Sequence, residues 1–89
     1  MVEFKVLYFA SARDAAHNIE SETMELDDEK PATLASAVER IMAVHPEMKA
    51  VLEHAMVSLN EEYCEQDAMA DVELKPKDTV AIIPPVSGG

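Results

Sequence analysis

The sequence predicts an α+β fold, a mixed β-sheet packed on one side by one main helix. Three observations carry this. An alternating strand pattern opens the chain at residues 2–9, and an apolar strand pattern nearly closes it at 79–83. Between them, residues 34–45 repeat apolar side chains at spacings of three and four, the period of a helix packed on one face. Residues 64–78 are polar and carry no second stripe of that period, so the order reads ββαββ. A chain of 89 residues makes one domain, here residues 1–83, followed by a flexible tail, residues 84–89. With 48% hydrophobic residues it can fill a small core.

In the first strand, Val2, Phe4, Val6 and Tyr8 share a face, with Glu3 and Lys5 between them. The alternation breaks at Leu7 and Phe9, which fall on the polar side. Residues 10–17 suit a short helical turn or loop. Residues 22–26 form a short second strand, paired with the first through a connection that lacks tight-turn residues. Residues 27–32 are a polar loop containing Pro31. Thr33 is placed to cap the main helix, and Leu34, Ala37, Val38, Ile41, Met42 and His45 make its apolar stripe. Pro46 disfavours helical geometry at His45 and ends the helix. Residues 47–53 suit a second, short helix with Met48, Val51 and Leu52 inward. Residues 55–59 read as a third strand, Asn60-Glu61-Glu62 as a turn, and Tyr63 as the start of a short edge strand. Residues 66–71 read as a polar loop. Lys75-Pro76-Lys77-Asp78 fits a type I turn, with proline at its second position.

Strands at both ends with a helix between them give the β-grasp, or ubiquitin-like, arrangement. A ferredoxin-like fold competes, but it needs a second full helix before the last strand. Strand parity adds a further expectation. If Phe4, Val6 and Val57 face the helix, then Leu7, Phe9 and Met56 face outward. In the last strand Val80 and Ile82 point in and Ile83 points out. Leu7, Phe9, Met56 and Ile83 then form an apolar patch on the open face, a candidate docking surface. Scattered exposed apolar residues are also common on ordinary surfaces.

Composition excludes several functions. A formal charge of −11 argues against binding nucleic acid or an anionic membrane, and suits a partner with a basic face. No stretch is long enough to span a bilayer, and Met1-Val2-Glu3-Phe4 lacks a signal-peptide pattern, so a soluble cytosolic protein is expected. The single cysteine, Cys64, rules out an internal disulfide, and Glu61, Glu62 and Glu65 around it disfavour a thiolate. His17, His45 and His54 show no metal-ligand spacing with Cys64, so no metal is expected. No glycine loop can cradle a phosphate. Ser11, Ser36, Ser58 and Ser87 lack nucleophile signatures. The acidic residues are dispersed rather than paired. No self-contained active site is apparent.

The last six residues stand apart. The chain holds two glycines, both at its end, where average usage would place roughly six along the chain. In Pro84-Pro85-Val86-Ser87-Gly88-Gly89 the prolines fix φ and remove two amide donors, favouring a stiff extended form. Extended, six residues reach about 20 Å at roughly 3.3–3.6 Å each. Val86 offers a small apolar contact. Gly88 and Gly89 make a thin tip that can enter a narrow channel and present the terminal carboxylate. A frayed, inert end is the plain alternative.

The run Ile82-Ile83-Pro84-Pro85-Val86-Ser87-Gly88-Gly89 resembles the ending of the small subunit of molybdopterin synthase, the MoaD-type sulfur carrier. The resemblance extends along most of the chain. Lys5-Val6-Leu7-Tyr8-Phe9-Ala10 is similar to the family's first strand, and Arg13 resembles a basic residue that often follows it. Thr33-Leu34 starts the helix as in the family, and Leu59-Asn60-Glu61-Glu62-Tyr63 resembles its Val-Asn-x-Glu-Tyr stretch. The chain departs from the pattern at Pro76-Lys77-Asp78, where the family usually reads Asp-Gly-Asp. It departs again at Ile82 and Ile83, where aromatic residues are common.

The resemblance implies a mechanism. An E1-like adenylating enzyme uses ATP to activate the carboxylate of Gly89 as an acyl-adenylate. Sulfur relayed from a persulfide replaces AMP and leaves a C-terminal thiocarboxylate, a 1-thioglycine. The tail, Pro84 to Gly89, enters the large subunit and donates sulfur to cyclic pyranopterin monophosphate, building the molybdopterin dithiolene. Two sulfurs suit a heterotetramer of two small and two large subunits. No permanently bound cofactor is implied. A sulfur carrier for thiazole synthesis or another pathway is the nearest rival. A ubiquitin-like modifier of lysines and a plain interaction module with an inert tail are rivals of other kinds.

Overall fold

Two strands from opposite ends of the chain lie side by side at the centre of the sheet. β1 (Val2–Tyr8) pairs in parallel with β5 (Thr79–Ile83), with Lys5 opposite Thr79 and Tyr8 opposite Ile82. β2 (Ser21–Leu26) runs antiparallel on the far side of β1. β3 (Met56–Leu59) and β4 (Glu62–Cys64) continue antiparallel beyond β5. The order is β2-β1-β5-β3-β4, a mixed five-stranded sheet. This computed structural model describes residues 1–27 and 31–85. The arrangement is the expected β-grasp.

α2 (Leu34–Val44) packs across one face of the sheet. The Thr33 hydroxyl accepts a hydrogen bond from the Ser36 amide at 3.1 Å, satisfying one of the donors left open at a helix start. Leu34, Ala37, Val38 and Ile41 are buried against Phe4, Val6, Val57, Val80 and Ile82. Met42 is half-buried at the margin of the stripe. His45 caps the helix, its amide donating to the Ile41 carbonyl at 2.8 Å, and Pro46 follows. Two short helices flank α2 in sequence. α1 (Ser11–Ala15) buries Ala12 and Ala15, and α3 (Met48–Leu52) buries Met48 and Leu52.

Three local expectations change. Residues 66–71 are not a plain loop but a 3-10 helix (Gln66–Asp71) packed on α2, with Met69 buried and Gln66 donating to the Leu52 carbonyl at 2.7 Å. One inward side chain in six residues gives no helical stripe to read. The turn Lys75–Asp78 is type II rather than type I, because Lys77 has a φ of 72°. Proline suits the second position of either type. The Lys77 amide turns instead toward the Glu3 carbonyl, at 2.7 Å, while the Asp78 carboxylate accepts from the Lys75 amide at 2.8 Å. The third change is at β3–β4, where the turn is Asn60-Glu61 alone. Positive φ at both residues makes it type I′, and Glu62 already belongs to β4.

A polar cluster interrupts the core below the sheet. Glu22 faces inward from β2, and its Oε2 accepts a hydrogen bond from the Tyr8 hydroxyl at 2.6 Å. The same oxygen lies 2.5 Å from His45 Nε2, which places the ring proton on that nitrogen. His45 is buried, and its Nδ1 has no hydrogen-bond partner among the described residues. Its ring meets Tyr8 edge-on at 5.7 Å between centroids and lies 5.9 Å from His17. Burial, reinforced by Glu22, pushes the Tyr8 phenol far above its ordinary pKa.

Candidate docking face and tail root

The face of the sheet opposite α2 carries two cross-strand rows. Leu7, Ala81, Ser58 and Tyr63 lie opposite one another through β1, β5, β3 and β4. Ile83 lies opposite Met56 in the next row, and the Phe9 amide donates to the Ile82 carbonyl at 3.2 Å, setting Phe9 beside Ile83. All four outward residues expected from parity, Leu7, Phe9, Met56 and Ile83, therefore share one face. Phe9 is 47% and Met56 52% exposed, while Leu7 and Ile83 are half-buried.

The rows form a shallow hollow of about 530 Å³. Leu7, Phe9, Tyr63 and Ile83 wall it, and the small side chains of Ala81 and Ser58 form its floor. Tyr63, 66% exposed, belongs to this face although parity in the long strands did not reach it. The two-residue turn fixes its register opposite Ser58, and that turn was the readable signal. Glu61 stands at the rim.

Phe9 owes its position to a tight turn. The Ala12 amide donates to the Phe9 carbonyl at 2.9 Å, and Ala10 between them has φ 49° and ψ −125°. That is the first central position of a type II′ turn, normally held by glycine. It reverses the chain into α1 while Phe9 stays hydrogen-bonded to β5.

The tail begins where this face ends. Ile83 closes β5, Pro84 is buried and Pro85 is exposed. Val86, Ser87, Gly88 and Gly89 lie outside the described residues. Cys64 is half-buried on β4, its thiol 3.5 Å from the Glu65 carbonyl. Among the described residues no group of three His, Cys, Asp or Glu side chains is placed to hold a metal ion, and no helix is long and apolar enough to cross a membrane.

Comparison with known proteins bears on the whole chain. Residues 6–89 match the ThiS family. The sequence is 42% identical to the molybdopterin synthase sulfur carrier subunit of Chlamydomonas reinhardtii over 89 residues, spanning 99% of this chain and 100% of that protein. Among solved structures, the putative molybdopterin converting factor subunit 1 from Pyrococcus furiosus superposes with a TM-score of 0.78 at 29% identity, covering 97% of this chain and 100% of that one. SAMP1 from Haloferax volcanii superposes at 0.81 with 22% identity, covering 98% and 99%, a likeness of fold. A chain in the complex of subunits 1 and 2 of the molybdopterin-converting factor from Helicobacter pylori gives 0.67 at 19% identity, covering 99% and 100%, again a likeness of fold. The β-grasp architecture, the tail root beside an apolar sheet face and the end-to-end match to sulfur carrier subunits agree: the chain belongs to the ThiS family.

Proposed function

We propose that this protein is the cytosolic sulfur-carrying subunit of a molybdopterin synthase, working through the carboxylate of Gly89. The observation that carries the reading is its 42% identity, over 99% of its length, to a protein of that name. The placement of the apolar face at the root of the tail supports it. In the proposed cycle an E1-like adenylating enzyme joins the Gly89 carboxylate to AMP from ATP, releasing pyrophosphate. A persulfide attacks the activated carbonyl and expels AMP. Cleavage of the sulfur–sulfur bond by a thiol leaves the thiocarboxylate. The open face, through Leu7, Phe9, Met56 and Ile83, docks on the large subunit. Pro84 and Pro85 then carry Val86, Ser87, Gly88 and Gly89 into its active site. Sulfur passes to cyclic pyranopterin monophosphate, and hydrolysis returns the carboxylate. Two transfers per product fit two small and two large subunits.

Gly88 and Gly89 serve this scheme by lacking side chains, so the tip fits a narrow channel and the carbonyl is open to attack. Gly88→Val, or removal of Gly89, is expected to leave the melting temperature of the domain unchanged and to abolish sulfur transfer in a reconstituted synthase assay. Full activity in either variant contradicts the scheme. Binding to a thiazole synthase instead of the large subunit, or lysine adducts in cells, would assign the same tail to another acceptor.

A further inference from the structure

The hollow on the open face has a polar atom at its base. Ser58 is 4% exposed, and its hydroxyl has no hydrogen-bond partner among the described residues. Its neighbour on the turn is already engaged. The Asn60 side chain donates to Asp78 at 3.0 Å and accepts from the Thr79 amide at 2.9 Å. A hydroxyl offers one donor and two acceptor sites. A partner that sealed the hollow with apolar atoms alone would leave all of them unmet, and an unpaired buried polar group is costly.

We infer that Ser58 determines specificity at this face. The large subunit seats an apolar ridge between the walls of the hollow and brings a hydrogen-bond donor to Ser58 Oγ. A donor is favoured over a carboxylate or carbonyl because Glu61 lines the hollow and the whole chain carries −11. The inference rests on the docking reading above and adds a polar requirement to it. It separates the true partner from other apolar surfaces of similar shape.

The test is isothermal titration calorimetry of the purified large subunit against the wild-type chain and Ser58→Ala, Ser58→Thr and Ser58→Val, with thermal melts of each free protein. Ser58→Ala is expected to bind about tenfold more weakly. Its melting temperature should be no lower than wild type, because the hydroxyl makes no internal bond. Ser58→Thr should bind more tightly than Ser58→Val, which has the same shape without the hydroxyl. Wild-type affinity in Ser58→Ala, equal affinity of the Thr and Val variants, or a fall of melting temperature in step with affinity overturns the inference. Phe9→Asp tests the docking reading separately. If it binds like wild type, the face is not the interface and both statements fall. If it fails to bind while Ser58→Ala binds normally, only the role of Ser58 falls.

Discussion

Lys77 holds a φ of 72° at the third position of its turn, a conformation in which a side chain crowds the backbone. The cost for a residue other than glycine is about 1–2 kcal/mol, partly offset by the greater freedom glycine has when unfolded. Lys77→Gly is therefore expected to stabilise the fold by about 0.5–1 kcal/mol, raising the melting temperature by a few degrees. A lower melting temperature would show that the Lys77 side chain makes a contact outweighing the strain. Tyr8 gives a second expectation at this scale. Its phenol is neutral when protonated, and the folded state holds that proton more tightly than the unfolded state, whose pKa is about 10. Below pH of about 10 both states are protonated and the full stability is present. Above it only the unfolded state ionises, so stability falls as pH rises. In Tyr63→Phe, which leaves Tyr8 as the sole tyrosine, phenolate absorbance should stay absent until circular dichroism reports unfolding. Ionisation near pH 10 in the folded protein would contradict the burial of Tyr8.

The elements were legible to different degrees, for physical reasons. Strand alternation and the stripe of α2 are direct consequences of burying one face, so Phe4, Val6, Val80, Ile82, Leu34 and Ile41 could be placed from their spacing alone. The same parity put Leu7, Phe9, Met56 and Ile83 on the open face. What escaped depends on contacts distant in sequence. Tyr63 joined the face only through the Asn60-Glu61 turn. The type II geometry at Lys77 depends on Glu3, which lies at the other end of the chain. Glu22 is an acid at an inward strand position, and its partners, Tyr8 and His45, come from β1 and the end of α2. This cluster ties three elements together. Glu22→Ala leaves the Tyr8 hydroxyl and His45 Nε2 without their shared acceptor, beside an Nδ1 already unpaired. A loss of about 2–3 kcal/mol in chemical denaturation is expected. A loss below about 0.5 kcal/mol, the scale of ordinary surface changes, would mean that the cluster contributes no net stability.

At the scale of the whole molecule, the fold holds two features at one end of the sheet. β5, paired with β1 and β3, fixes the root of the tail, and the apolar face beside it gives a partner something to grip. On the proposed function, catalysis belongs to the partners and the carrier supplies the Gly89 carboxylate. The measurement that tests this most directly is intact-mass spectrometry after incubation with an E1-like activating enzyme, ATP and a sulfur donor. A mass gain matching one oxygen replaced by sulfur, mapped by fragmentation to Gly89, is expected. An unchanged mass, with the activating enzyme shown to work on another carrier, would contradict the proposed function.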